Sequence, residues 1–344
     1  MKCVFKDILE IKNGKNQKNV ENSDGVYPIY GSGGIMGYAD DYICPSDTVI
    51  IGRKGNINSP IYVEEPFWNV DTAFGLIANR KCLIAKYLFY FCKKFNFEKL
   101  NKAVTIPSLT KSDLLEIKID LPDKSSQQLI VDRLNTVERV IDLRQRELSQ
   151  LDNLIKARFV EMFGLPGTDV KGWGMVTLGS ICEINPRKAK DSRLTKELKI
   201  SFVPMTAVSD NGGIDTSEIK TYDEVRTGFT YFSENDVLFA KITPCMENGK
   251  GAVAVDLYNG IGFGSTEFHV LRPIKNMSNP YWLYTLAAFK LFRKEAAANM
   301  TGSAGQRRVP ARYLENYKVT LPPIELQRRF ADFVTQVDKS KVVA

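Results

Sequence analysis

His269 is the single histidine of the chain, and it stands in a strand-like stretch with no acid–nucleophile pair beside it. That setting predicts a hydrogen-bonded structural histidine rather than a catalytic one. The six cysteines lie at 3, 44, 82, 92, 182 and 245 with no CxxC pair. Zinc needs clustered Cys and His ligands, so no metal is expected, and all six thiols are predicted to be buried and reduced. The glycine-rich stretch YGSGGIMG (Tyr30–Gly37) reads GxGxxxG rather than GxGxxG, and GxxxxGK[ST] is absent. Two readings of it stay open: a tight turn at Ser32 and Gly33 that lets backbone approach a ligand, or a purely structural turn.

Asn279-Pro280-Tyr281 is similar to the Asn-Pro-Pro-Tyr loop of amino methyltransferases, but one proline is missing and no glycine-rich cofactor motif accompanies it. It reads better as the N-terminus of a helix with proline in its first turn. No catalytic residue and no cofactor is therefore assigned to this chain. What remains are cations and amides in turn-rich segments: Arg53, Lys54, Asn56 and Lys111 early, then Lys241, Ser303, Gln306, Arg307, Arg308 and Arg312. Arg and Gln on irregular loops can pair bidentately with guanine and adenine edges, and Lys with phosphates. For any one of them a solvated surface charge is an equal reading; the clusters carry more weight than their members. A net charge of +7 and a pI near 8.9 accord with a polyanionic partner without requiring one. No apolar run is long enough for a bilayer and the N-terminus lacks a signal-peptide stretch, so a cytoplasmic protein without a membrane partner is expected.

The elements that position these residues come in duplicate. LPDKSSQQLIVDRLNTVE from Leu121 and LPPIELQRRFADFVTQVD from Leu321 match at a constant offset of 200, through Leu121/Leu321, Pro122/Pro322, Gln127/Gln327, Asp132/Asp332 and Val137/Val337. FKDILEIKNG from Phe5 is paralleled by LGSICEINPR from Leu178, DTVIIGRKG from Asp47 by DVLFAKITP from Asp236, and DTAFGLI from Asp71 by STEFHVL from Ser265. The expected map is a globular domain over 1–123, a helix over 124–164, a second globular domain over 165–322 and a second helix over 323–344. Gly164–Gly174, GLPGTDVKGWG, reads as a helix stop and linker. Short strands are predicted at Thr48–Gly52, Ile61–Glu64, Phe74–Ala78, Asp236–Ile242, Gly251–Val255 and Phe268–Leu271. Helices are predicted at Lys86–Lys94 and Pro280–Ala297.

From Ser125 to Phe163 there is neither Gly nor Pro, which permits one helix opened by the capping box Ser125-x-x-Gln128. A 4-3 spacing runs through Ile130, Leu134, Val137, Ile141, Leu148, Leu151, Ile155 and Met162, with Arg144 and Arg158 as exceptions. Phe330, Val334 and Val337 restart the seam in the second helix. Matching seams predict antiparallel coiled-coil pairing that joins and separates the globular domains, over roughly 60 Å for the longer helix. The helix carries balanced charge, which disfavours a basic helix in the major groove.

The second helix is short, so it is expected to cover about Leu148 to Met162. Ile130 to Ile141 are left for self-association or a partner's helix.

Taken together, YPIYGSGGIMGY (Tyr27–Tyr38), DTVIIGRKG, IPSLTKSDLLEIKIDLP (Ile106–Pro122), GWGMVTLGSICEI (Gly172–Ile184), GSAGQRRVP (Gly302–Pro310) and the two helix starts resemble the specificity subunit of type I restriction–modification systems. The resemblance spans nearly the whole chain. It implies an α+β fold of two β-rich target-recognition domains with helical spacers, one domain reading each part of a two-part site in double-stranded DNA. It also implies two methyltransferase (modification) subunits and restriction subunits as partners, which would hold S-adenosylmethionine, ATP and Mg. Two other classes remain as alternatives, a free-standing DNA-binding regulator and a self-contained DNA methyltransferase.

Overall fold

The computed structural model describes residues 2–343 save 104, 189–193 and 304, and the side chains of 342 and 343. It divides into two compact units, Met1–Asp142 and Leu143–Ala344, and the division falls inside one long helix.

In the first unit the chain forms β1 (Lys2–Val4), α1 (Phe5–Ile8), β2 (Leu9–Asn13), β3 (Tyr27–Gly31) and β4 (Gly34–Ala39). It continues with β5 (Thr48–Gly52), β6 (Ile61–Val63), β7 (Trp68–Asn69), β8 (Ala73–Ala78) and α2 (Ala85–Lys94). Then come α3 (Lys111–Leu115), β9 (Lys118–Asp120) and α4 (Lys124–Phe163). The central sheet has the order β2-β8-β5-β6, flanked by a three-stranded sheet β4-β3-β7 and the pair β1-β9. All of β5 is buried: Val49 and Ile51 face the cluster holding Leu88 and Cys92 of α2, and Ile50 faces Cys44, Phe67 and Tyr30 on the other side. A strand covered on both faces reads as an unbroken apolar run, which is why TVIIG does not alternate.

The second unit repeats the plan. Its elements are β10 (Met175–Thr177), β11 (Cys182–Ile184), β12 (Lys199–Val203), β13 (Ile219–Thr221), α5 (Tyr222–Val225), β14 (Thr230–Ser233) and β15 (Val237–Ala240). They continue with β16 (Gly251–Val253), β17 (Ile261–Gly264), β18 (Phe268–Pro273), α6 (Pro280–Ala288), α7 (Lys290–Ala298), α8 (Ala311–Asn316), β19 (Lys318–Thr320) and α9 (Ile324–Val343). The sheet β11-β18-β15-β16 matches the central sheet of the first unit, and β13-β12-β17-β14 is the second layer. In each unit the first strand closes antiparallel onto the strand before the spacer helix: Cys3 opposes Ile119, and Val176 opposes Val319.

Buried glutamines fasten each spacer helix to its unit. Gln127 accepts from the Ile84 N–H (2.9 Å) and donates to the Cys82 and Pro122 carbonyls (both 2.8 Å). Gln327 accepts from the Asn279 N–H (2.9 Å) and donates to Met277 and Pro322 (3.1 and 2.9 Å). The duplication thus holds down to single hydrogen bonds.

Four expectations change. The cap of α4 is Asp123, whose carboxylate takes the Ser126 N–H (2.9 Å) and both serine hydroxyls, while Gln128 reaches forward to Asp132. With Asp123 as the cap, Ser126 is the third residue of the helix and gives it the capping N–H, while the Ser125 hydroxyl is spent as a donor to the same carboxylate. The single helix Pro280–Ala297 is two, α6 and α7, broken at Phe289 (ψ 137°) without Gly or Pro. There the buried Arg293 donates to the Ala287 carbonyl (2.7 Å) and to Met246 and Lys250, filling sites that a helix end leaves open. Cys82 and Cys245 are only partly buried. For Cys44 and Cys182 burial pushes the thiol up to about 12, which makes them inert packing groups.

The fourth concerns the seam. α9 does run antiparallel to α4: Phe330 packs on Phe159 and Phe163, and Lys341 pairs with Asp152 at 2.7 Å. The most buried positions opposite α9 are Ile155, Phe159 and Phe163, a 4-4 spacing, while Leu151 and Met162 of the 4-3 series are partly buried against the same core and Leu148 stays exposed. A straight α-helix of 3.6 residues per turn drifts off a strict heptad, so the contact stripe moves onto the two phenylalanines.

Candidate nucleic-acid interface

At the end of β5, Gly52 leaves no room for a side chain: a Cβ would lie 2.1 Å from the Asn56 carbonyl oxygen and 3.1 Å from Ser32 Cβ. The chain then turns through Arg53–Asn56, with Gly55 at φ 78°. Three backbone bonds pin that turn: Arg53 N–H to the Thr72 carbonyl (2.7 Å), Gly55 N–H to Pro107 (2.9 Å) and Leu109 N–H to Arg53 (2.9 Å). Ser32 and Gly33 form the two-residue turn closed by the Gly31/Gly34 pair, so the glycine-rich stretch is a hairpin tip set against Gly52. Ser32, Gly33, Arg53, Lys54 and Asn56 are thereby brought to one place. Arg53 lies 5.8 Å over the Phe74 ring. Lys111 is exposed at the start of α3, next to the Thr110 cap. Among the described residues, Arg53, Lys54 and Lys111 make no ion pair.

The second unit builds the same clamp. Lys241 N–H donates to the Glu267 carbonyl (2.9 Å), Thr243 N–H to Arg307 (3.0 Å) and Val309 N–H to Lys241 (2.9 Å). By hydrogen-bond position Lys241 answers to Arg53, one residue out of step with the alignment of Asp47 on Asp236. The left-handed residue before each strand agrees: Asp47 (φ 57°) and Asn235 (φ 68°). Thr301 and Arg308 exchange backbone bonds of 2.9 and 2.8 Å, closing a loop in which Gly302 (φ 120°) and Gly305 (φ 82°) supply conformations other residues resist. Ser303, Gln306 and Arg307 are exposed on that loop, and Arg312 is exposed on α8.

Arg308 is engaged from within. Its Nε and Nη2 donate to the two Glu267 carboxylate oxygens (2.9 and 2.7 Å), and Nη1 to the Gln306 carbonyl (3.1 Å). Arg308 accordingly holds the Glu267 carboxyl below its usual range. Burial lowers the Lys241 ammonium, Glu267 opposes that and Arg308 adds to it. His269 is structural, as its sequence setting suggested. Its Nε2 lies 2.7 Å from the Val309 carbonyl, a donor's place, and Nδ1 lies 2.9 Å from the Asn185 amide nitrogen, an acceptor's place. The ring is neutral in this assignment, and burial pushes its pKa down. The sequence reading missed Glu267. Its signal was a carboxylate directly before the strand in STEFHVL, where the first half has Thr72 and Ala73.

A family model described as type I restriction modification DNA specificity domain matches residues 3–153 and again 170–342. The chain is 42% identical over 167 residues to the Escherichia coli type I restriction enzyme EcoAI specificity subunit, covering 48% of this chain and 28% of that one. It is 41% identical over 160 residues to the EcoEI specificity subunit of the same species, covering 46% of this chain and 26% of that one. The match therefore spans little more than a quarter of either relative's length. In fold it is similar to the type I restriction–modification S subunit of M. genitalium, with a TM-score of 0.57 at 18% identity over 99% of this chain and 90% of that one.

Proposed function

The chain belongs to the family of type I restriction modification DNA specificity domains, and on that premise we propose that it is the sequence-reading, non-catalytic subunit of a restriction–modification complex. Each unit reads one part of a bipartite site in double-stranded DNA. The observation that carries this is the clamp built twice, with the same backbone bonds presenting polar, mostly cationic loops in both units. A loop fixed by its own backbone keeps Arg, Lys, Asn or Gln side chains in register with base edges, where each bidentate pair discriminates by about 1–3 kcal/mol.

The chemistry falls to partners in the cytoplasm. Methyltransferase subunits carry S-adenosylmethionine for adenine N6 methylation, and restriction subunits carry ATP and Mg for cleavage. The methyltransferases dock along the exposed apolar face of α4 between Ile130 and Ile141. The test is methylome sequencing of cells expressing the methyltransferase with and without this chain. A two-part motif that appears only with the chain is the expected result. Methylation that is unchanged by the chain would overturn the reading.

A further inference from the structure

The loop 301–308 carries Arg307 and Arg308 side by side, yet the structure treats them differently. Their side chains are similarly exposed, 46% and 41%, but Arg307 has one described carboxylate near it, Glu247 at 3.8 Å. Arg308 has its fork closed by Glu267 and a third donor on the Gln306 carbonyl. Because the Glu267 backbone carbonyl also receives the Lys241 N–H, one residue ties the strand end to the loop through both its main chain and its side chain. In the first unit neither charge exists: Thr72 supplies the backbone carbonyl, Ser108 stands 200 positions before Arg308, and the Asn101 side chain accepts the Ser108 N–H at 3.1 Å. The brace is thus a device of the second unit alone.

We propose that Glu267 is a positioning residue for half-site recognition: it keeps Arg308 as an internal brace of the loop, leaving Gln306 and Arg307 to touch base and phosphate. A bidentate charge-assisted pair fixes orientation as well as distance, so Gln306 and Arg307 are held in place before DNA arrives. Three of the five Arg308 N–H groups are so engaged, and the Nε–Nη2 side of the fork, which could take a phosphate bidentately, is already closed by Glu267. This inference rests on the DNA-reading function proposed above and divides the work within one of its loops.

The test uses the full chain and a labelled duplex pool with a randomised core, bound at several salt concentrations, with the bound fraction sequenced. Wild-type chain that selects no consensus overturns the DNA-reading function itself, whatever the variants do. With a wild-type consensus in hand, Arg307→Ala should make the log–log salt slope shallower by about 0.9, the value of one lost phosphate contact. Arg308→Ala should leave the slope as in wild type and blur one half of the consensus. Glu267→Ala should blur the same half and steepen the slope by up to about 0.9, as the freed guanidinium finds a phosphate. Glu267→Gln, whose amide oxygen still accepts one bond from Arg308, should restore most of the consensus. A slope flattened by Arg308→Ala as much as by Arg307→Ala overturns the proposal, and so does an intact consensus in Glu267→Ala. Should Glu267→Ala unfold the second unit, Arg308→Lys keeps the charge without the fork. Blurring of one half at unchanged slope then supports the brace, and an intact consensus overturns it.

Discussion

Gln127 and Gln327 are each buried with no exposed surface, and each makes three hydrogen bonds to backbone groups. Truncation would take the side-chain partner from a buried N–H and two carbonyls, at about 1–3 kcal/mol for each group left unpaired and less where water enters. Gln327→Ala should therefore cost the second unit about 3 kcal/mol, read as a lower urea midpoint in the fluorescence of Trp173 and Trp282. Gln127→Ala should act on the transition of Trp68 instead. A loss below about 1 kcal/mol would show that the clip is replaceable.

His269 gives a pH signature. Burial depresses its pKa in the fold from 6.5, so the unfolded chain binds the extra proton first and the fold is favoured by the neutral ring. That contribution is complete above 6.5 and is lost as pH falls from there through the lower folded value. Stability of the second unit should drop below pH 6.5 before carboxylates titrate, and His269→Gln should flatten that slope. Gln127 and Gln327 were visible in the sequence because they repeat at one offset. Glu267 was not, because its partner lies on a loop 41 positions away and only the fold brings them together.

The elements were legible where local pattern and packing agree. TVIIG and VLFA gave their strands, and the absence of Gly and Pro gave α4. The break at Phe289 is not legible because no Gly or Pro marks it, and the arginine that satisfies a freed carbonyl there lies four residues on. The seam of α4 was legible at Leu151, Ile155 and Met162, which pack against the core, but the most buried stripe beyond Ile155 is a 4-4 one through Phe159 and Phe163 that the heptad spacing does not name. Over residues 130–141 it is uncovered by its own unit: Ile130 is 37% exposed, Leu134 36%, Val137 53% and Ile141 51%, against 9% for Ile155. The face of α4 that the first unit does use is another one, where Tyr90 donates to Asn135 and Glu138 and Lys93 pairs with Glu138. Each seam side chain fully buried is worth about 1.5–3 kcal/mol. We therefore expect the isolated chain to self-associate through residues 130–141, and Ile130→Glu with Val137→Glu to abolish that association and weaken methyltransferase capture. Light scattering that finds a monodisperse wild-type monomer, together with capture that survives both substitutions, would leave this seam without a partner.

At the scale of the whole molecule, the duplicated closures matter most. Because β1 pairs with β9 and β10 with β19, each globular part returns its last strand to its first before the spacer helix begins. A segment whose ends meet can be exchanged with little disturbance of the helix attached to it. Little of the chain's chemistry has to cross the cut at residue 123, since the clamp of the first unit is complete within residues 32–109. Among the described residues, the side-chain bonds that cross it join Gln127 to Ile84, Cys82 and Pro122, Lys124 to the Arg80 carbonyl, the Asp123 cap to Ser125 and Ser126, and Glu138 and Asn135 to Tyr90 and Lys93. The backbone partners of Gln127 do not depend on side-chain identity, whereas Glu138 needs a donor at the position of Tyr90 or Lys93. Replacing residues 1–123 by the corresponding part of another family member with such a donor should then change one half of the methylated motif and leave the other as it was. A replacement lacking that donor should need the cut moved to residue 142. Change in both halves of the motif with either cut would mean that recognition is not divided between the units.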